Sequence, residues 1–228
     1  MKYTLYKKLF CQFTLIIALV AAALHNAVAQ NCTIPVLNQR LIEMKATEQK
    51  LRRELMPVLA DFQKDGSRQM EMLQLAMKMK EVDQKNLEAI KVILNDCGWL
   101  EALDEEAHNA LFIILQHGDY ETMKQYYPTV AQMMEKGKLA KDDWAAMTDR
   151  LLMNEGKLQI YGTQTFADGQ NGNWVWPVEK PEELSSRRTA VGLPDMETYF
   201  KIAMDSMGVK MQWDKTMTLE EAESRRRN

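Results

Sequence analysis

Apolar residues recur at three- to four-residue spacings through the first half of the chain and predict two long helices. The first extends from Leu37 to about Phe62, and the second from Gln69 to about Asn95. The turn signal Asp65-Gly66-Ser67 separates them, and Gly98 follows the second as a stop signal. Because two helices of similar length joined by a short turn run antiparallel, we predict an N-terminal antiparallel helix pair.

Shorter helical segments follow this pair. The run 111–115 is apolar on every face, which predicts a central, buried helix. Another apolar stripe begins at Trp144 and ends near Gly156, and further helices open at Pro181 and Pro194. The overall pattern predicts a mainly α, single helical domain.

The hydrophobic period changes to two after this stripe. Residues 157–166 alternate, residues 168–172 are a dense turn signal, and residues 173–177 can form a return strand. We therefore predict one small β-hairpin, at about 157–178. Because glycine inside a strand marks a bulge or a close backbone approach, Gly162 is expected at such a point.

Residues 1–29 predict a secretory signal rather than part of the fold. A basic front precedes an apolar run, residues 13–24, that is short for a bilayer span, and residues 27–29 (Ala-Val-Ala) form a cleavage site. The mature chain would then be exported, to the periplasm or the extracellular space. An uncleaved anchor is the alternative, and a lipid anchor on Cys32 fits less well.

Signal cleavage would leave an acidic domain. It lowers Lys+Arg from 29 to 26 while Asp+Glu stays at 32, so the net charge changes from −3 to −6. Such a balance does not suit phosphate backbones, so we expect no nucleic-acid partner, and no membrane partner after cleavage. We divide the mature chain into a helical hairpin (30–98), a motif-bearing region of the same domain (99–208) and a C-terminal tail (209–228), whose basic run 225–227 we interpret as solvated.

Two cysteines, Cys32 and Cys97, remain after cleavage. In an exported chain they suggest one disulfide, and the antiparallel helix pair would bring them together. Two unpaired buried thiols are the alternative.

Methionine pairs in the second helix, Met70-x-Met72 and Met77-x-Met79, raise the question of a copper site. Residues two apart on a helix do not face each other, and methionine commonly fills core gaps. We therefore favour core packing and expect no metal and no cofactor.

Few residues carry candidate chemistry, because G-x-S-x-G, phosphate-loop and H-E-x-x-H signatures are absent. His117 and Asp119 could form a base or metal-ligand pair, or simply end one helix and cap the next. Asp149 lies near a helix C-terminus, where the dipole disfavours an acid. We expect Asp149 either to form a structural salt bridge with an arginine or to bind a ligand cation.

Several motifs, taken in order, resemble an uncharacterised bacterial domain-of-unknown-function family. They are Gln116-His117-x-Asp119, Asp149-Arg150, Gln159-x-Tyr161-Gly162-Thr163-Gln164 and Arg187-Arg188-x-x-x-Gly192-Leu193, with Glu48-Gln49-x-x-Arg52, Asp83-x-x-Asn86 and Gly98-Trp99 upstream. The match covers roughly residues 45–204. The resemblance implies no activity, but it implies that these polar motifs belong together.

We hypothesise that the motifs line one polar cleft, with Tyr161 and Gln164 facing His117 and the arginines. The candidate catalytic residues are His117, Asp119 and Asp149, and the candidate ligand-binding residues are Arg150, Gln159, Tyr161, Gln164, Arg187 and Arg188. Arginines with a tyrosine and amides suit an anionic or carboxylate-bearing ligand. The favoured function is a cell-envelope domain that binds a small polar ligand or an envelope protein. The alternatives are an unrecognised hydrolase with His117 as base, oriented by Asp119 or Asp149, and a structural domain with a buried polar network.

Overall fold

The structure is a computed structural model that describes residues 32–168, 173–207 and 210–227. The predicted signal segment, 1–29, lies outside the described residues. The described chain is mainly α, as the sequence predicts, with eight α-helices and a small three-stranded sheet. Within these ranges no helix is both long enough and apolar enough to cross a membrane.

Five helices form the larger part of the fold: α1 (Ile34–Asp65), α2 (Gln69–Cys97), α3 (Glu105–Gln116), α4 (Tyr120–Glu135) and α5 (Lys141–Asn154). Three further helices follow: α6 (Leu184–Ala190), α7 (Met196–Met207) and α8 (Leu219–Arg227).

The first two helices form the predicted antiparallel pair. Gly66 makes the turn between them in the left-handed region, with φ 75°. The predicted disulfide joins Cys32, just before α1, to Cys97 at the end of α2, with Cα atoms 5.5 Å apart. Since it links the start of one helix to the end of the other, it closes the open end of the pair.

The α3 helix is the centre of the main core. It packs against α1, α2 and α4. Leu111, Ile114 and Leu115 are each at most 1% exposed and Ile113 is partly buried, so four of the five residues in the apolar run are buried, close to the prediction.

The far half of the helix pair extends beyond this core. Met70 and Met77 on α2 are 68% and 74% exposed. The core-packing prediction is therefore wrong for these two methionines, whose side chains face solvent.

The hairpin is present but shorter than predicted. Its strands, β1 (Thr165–Ala167) and β2 (Asn173–Val175), pair antiparallel with Phe166 opposite Trp174. Residues 157–164 are not a strand, apart from one parallel bridge between Gln159 and Val178. The strand prediction fails there because the backbone N–H groups bond to a carboxylate instead of a neighbouring strand.

The C-terminal segment folds against the hairpin. Strand β3 (Met211–Gln212) pairs parallel to β2, and Met217 and Ala222 are buried beside Phe166 and Trp176. On α8, the Arg225 guanidinium lies 4.7 Å from the centre of the Trp174 ring. The interpretation of the basic run as solvated is therefore wrong for Arg225, which packs against Trp174.

Candidate functional site

The structure separates the predicted site residues into two groups. The first surrounds the segment 159–164, which we call the motif loop, and contains Asp149, Gln159, Tyr161, Gln164, Arg187 and Arg188. The second, which we call the His117 site, contains Glu48, Arg52, Asp83, His117 and Arg150. No hydrogen bond or ion pair between described residues joins the two groups, so they form two separate polar networks, although Asp149 and Arg150 are consecutive on α5.

Asp149 anchors the motif loop. Its carboxylate is fully buried and accepts backbone N–H bonds from Ile160, Tyr161 and Thr163 at 2.7–3.1 Å, and the Thr163 hydroxyl at 2.9 Å. Burial raises the pKa of Asp149, and the N–H donors oppose that rise. Asp149 is therefore placed against the helix dipole to hold a loop, and it is not the arginine partner or cation ligand that we predicted.

Two glutamines continue this network. The fully buried Gln159 donates from Nε2 to the carbonyls of Gln164 and Trp176, and accepts the Gln164 N–H on Oε1 at 2.9 Å. The Gln164 side chain donates to the Ala146 carbonyl at 3.3 Å. Gln164 thus ties the loop to α5 and does not face His117.

The paired arginines of α6 hold the loop from its other side. Arg187 donates from Nε to the Ile160 carbonyl at 2.8 Å. Arg188, only 1% exposed, donates to the carbonyls of Tyr161 and Gly162 at 2.6 and 3.2 Å. Burial lowers the pKa of Arg188, and the nearby Tyr199, Asp149 and Asp195 oppose that change. Both arginines therefore bind backbone rather than presenting a free cation.

Gly162 lies at the closest approach in this arrangement, as the sequence predicts. Its φ of +66° is in the left-handed region, and an added Cβ would lie 3.3 Å from Leu184 and 3.4 Å from Met196 Sδ. A glycine is required here because any side chain would meet α6 and α7 in a conformation that L-residues disfavour.

Asp119 belongs to neither group. Its carboxylate accepts the Thr122 N–H at 2.8 Å and the Thr122 hydroxyl at 3.0 Å. It is the N-cap of α4, and hydrogen bonding to Thr122 lowers its pKa. Asp119 does not orient His117.

The His117 site is built on Glu48. This carboxylate lies in the middle of α1, is 0% exposed, and contacts His117 Nδ1 through Oε1. Its second oxygen, Oε2, is buried and has no hydrogen-bond partner among the described residues. The His117 side chain stays 23% exposed, because it follows the last residue of α3 at the edge of the core.

Two arginines flank this pair. Arg52 contacts Glu48 at 3.2 Å and forms a two-pronged pair with Asp83 of α2 at 3.0 and 2.9 Å. Arg150 of α5 donates a hydrogen bond from Nη1 to the Gln116 carbonyl at 3.3 Å. Burial, with a smaller contribution from Arg52, lowers the pKa of Arg150.

Arg150 is the unusual member of this site. It forms no ion pair with any described residue, and its Nε is buried without a hydrogen-bond partner. The nearby Gln116 Oε1 is also buried and unpartnered. Because buried polar groups are normally satisfied, three such atoms around one histidine mark a place where a ligand or water would bind.

Glu48, Arg52 and Asp83 were absent from the predicted site. All three lie within the motifs Glu48-Gln49-x-x-Arg52 and Asp83-x-x-Asn86, which belong to the family resemblance and are the sequence signal for this site. Composition could not select them, because charged residues fill most exposed faces of α1 and α2.

Fold and site together define a mainly α domain in which a buried glutamate of α1 contacts a partly exposed histidine at the end of α3, with arginines of α1 and α5 beside them. The chain belongs to a family of unknown function (DUF6624), which matches residues 35–212. That range includes every residue of the two groups described above. No curated protein and no solved structure shows a significant match to the chain.

Proposed function

We propose that this is an exported domain that binds a small anionic ligand at the His117 site. The observation that carries the proposal is Arg150, a largely buried guanidinium with one backbone hydrogen bond and no acidic partner in the described chain. A guanidinium binds carboxylate or phosphate oxygens through paired N–H donors, and the Arg150 Nε is free to supply one of them. Arg52 does not compete, because Glu48 and Asp83 already neutralise it.

Calorimetric titration of the mature chain with acetate, diglycine and inorganic phosphate tests this proposal. At least one probe should bind saturably, and Arg150→Gln should weaken its binding by tenfold or more. The matched control is Arg53→Gln, which removes the same charge from an exposed position of α1 next to Arg52. Absence of saturable binding by all three anions, or equal losses in both variants, would contradict the proposal.

A second candidate function is hydrolysis with His117 as general base. It is favoured by one observation: Glu48 contacts Nδ1, which leaves Nε2 without a partner among the described residues. A carboxylate on one ring nitrogen fixes the tautomer and orients the other nitrogen for proton transfer. Glu48 would take the orienting role that the sequence had assigned to Asp119 or Asp149.

A substrate screen at neutral pH with a His117→Ala control tests this second function. Turnover that His117→Ala abolishes, and that Glu48→Gln lowers mainly in kcat with a changed pH profile, would support it. Turnover that survives His117→Ala would exclude His117 as the base.

Export is a separate part of the proposal and rests on residues 1–29. We expect the protein to accumulate outside the cytoplasm with Gln30 as its first residue. N-terminal mass spectrometry of the fractionated protein checks this, and an intact Met1 in the cytoplasmic fraction would contradict it.

A further inference from the structure

A cavity of about 710 Å³ lies at the opposite end of α3 from His117. The first residues of α3, the turn between α4 and α5, the first turn of α5 and Lys45 of α1 form its walls. Its volume lies within the range of roughly 300–1,000 Å³ that small-molecule sites occupy. None of its lining residues belongs to the His117 site, so the two features are independent.

His108 forms part of the cavity wall and is only 1% exposed. Its Nδ1 lies 2.9 Å from the Trp99 indole nitrogen. Since an indole N–H can only donate, Nδ1 must accept, and the proton of the neutral ring is on Nε2. That Nε2 is buried, and although the backbone carbonyls of Glu101 and Leu103 approach the ring, none of the described residues forms a hydrogen bond of normal geometry with it, so the wall contains an incompletely satisfied donor.

Asp143 supplies the second unusual group. Its carboxylate accepts one long hydrogen bond, 3.4 Å, from Asn109 Nδ2. In the described part of the chain no lysine, arginine or histidine lies within ion-pair distance of it; Lys45, which also lines the cavity, instead approaches Glu106 at 3.9 Å. Asp143 is thus a partly buried acid with weak compensation.

The net charge of the cavity lining also favours a positively charged ligand. Two lysines, Lys45 and Lys138, face three acids, Glu105, Glu106 and Asp143, which leaves one net negative charge when Asp143 is ionised. One added monovalent cation would neutralise the lining. Nowhere in the described ranges is a group of three or more His, Cys, Asp or Glu side chains placed to hold a metal ion, so an organic cation fits better than a metal.

We propose that this cavity binds a small primary amine that also carries a hydrogen-bond acceptor, with the ammonium group against Asp143 and the acceptor on His108 Nε2–H. The ammonium provides the positive partner that Asp143 lacks, and its N–H groups match a carboxylate acceptor. The acceptor satisfies the buried imidazole donor, whose lack of a partner otherwise costs free energy. Amino alcohols and amino-acid amides have this chemistry, whereas simple anions do not.

The test is a ¹⁵N-correlation NMR titration of the mature chain with ethanolamine, with ethylene glycol as the neutral probe of similar size. We expect saturable shifts confined to residues 103–109 and 137–143, and at least tenfold weaker binding of ethylene glycol. Asp143→Asn should reduce ethanolamine affinity tenfold or more. Asp142→Asn removes the same charge one residue away, outside the lining, and should change the affinity less than twofold.

Three outcomes would overturn the proposal: no saturable shift with ethanolamine, equal binding of ethylene glycol, or equal losses in the two variants. Thermal melting of both variants is the folding control. If Asp143→Asn melts early, the comparison of ethanolamine with ethylene glycol on the wild-type chain still decides the matter. Because the His117 site takes no part in this titration, failure here leaves the anion proposal unaffected.

Discussion

The motif loop and the His117 site use the same residue types in opposite ways. Around the loop, the Asp149 carboxylate and the Gln159 amide have their hydrogen-bonding atoms matched to backbone groups. Around His117, by contrast, Glu48 Oε2, Gln116 Oε1 and Arg150 Nε are buried without partners among the described residues. Arg188 Nη2 is the exception in the loop group, and its guanidinium lies over the Tyr199 ring at 5.1 Å.

The number of unsatisfied buried atoms therefore distinguishes a polar network that stabilises the fold from one that can bind a ligand. A satisfied network contributes specificity and rigidity, because every buried group has its bond. An unsatisfied network costs stability unless something binds there. The most conspicuous motif of the sequence, Tyr161-Gly162-Thr163-Gln164, therefore belongs to the folding machinery, and the less conspicuous Glu48 belongs to the candidate site.

Removing the loop anchor should have the largest effect. Asp149→Ala would leave three backbone N–H groups and a hydroxyl buried without an acceptor, so we expect a loss of about 3–5 kcal/mol in the free energy of unfolding. Urea denaturation of the mature chain measures it. Asp119→Ala is the control for a single helix cap, and should cost about 1 kcal/mol. Equal losses in the two variants would show that Asp149 does not organise the loop.

Glycine substitutions separate backbone strain from close packing in the loop. Gly162 and Gly192 both have positive φ, +66° and +81°, but only Gly162 has side chains against its missing Cβ. Gly192→Ala should cost about 1 kcal/mol from the left-handed backbone alone. Gly162→Ala should cost about 2–3 kcal/mol, because contacts with Leu184 and Met196 add to the strain. Thermal melting compares the two, and an equal loss would remove the close approach from the explanation.

The helical architecture could be predicted from the sequence alone. Periodicity predicts α1, α2 and α3 because their apolar stripes are long, and turn glycines such as Gly66 and Gly98 end the helices where the pattern says they should. The disulfide also follows, since the antiparallel pair fixes the positions of Cys32 and Cys97.

The candidate site could be predicted less well from the sequence, because its key contacts join residues far apart in the chain. Alternation over residues 157–166 resembles a strand, but the Asp149 carboxylate, 11 to 14 residues upstream, accepts its N–H groups, a contact that the local pattern does not encode. The partner of His117 is 69 residues away on a helix whose surface is rich in charge, so neither spacing nor composition selects Glu48 over its neighbours. The family motifs include the residues of both the motif loop and the His117 site, but they do not show that these residues form two separate groups.

His117 should matter little for stability if its site awaits a ligand. In His117→Ala, Glu48 keeps its contact with Arg52 at 3.2 Å, and the lost ring is already 23% exposed. We expect the free energy of unfolding to fall by about 1 kcal/mol, much less than in Asp149→Ala. Urea denaturation of both variants at pH 7 makes the comparison. A loss as large as that of Asp149→Ala would instead make the His117 site a second structural network.

The smallest expected effect is a pH dependence at the cavity acid. Burial, followed by the charge of Asp142, raises the pKa of Asp143 from 3.8 to about 6, while Asn109 and Lys45 oppose the rise. Between these values the folded state binds more protons than the unfolded state, so this group stabilises the fold at low pH and that contribution is lost as the pH rises through about 6. After allowance for solvent screening, the change should be about 1 kcal/mol or less.

Stability curves from pH 4 to 7 for the wild type and Asp143→Asn measure this contribution as the difference between them. The wild type should lose stability relative to Asp143→Asn across this interval. Asp142→Asn should show a smaller decline than the wild type, because it removes the weaker of the two causes that raise the pKa of Asp143 and leaves burial in place. A flat difference would show that the Asp143 carboxylate is well compensated in the free protein. It would then need no ammonium partner, and the cavity would resemble the satisfied motif loop rather than the His117 site.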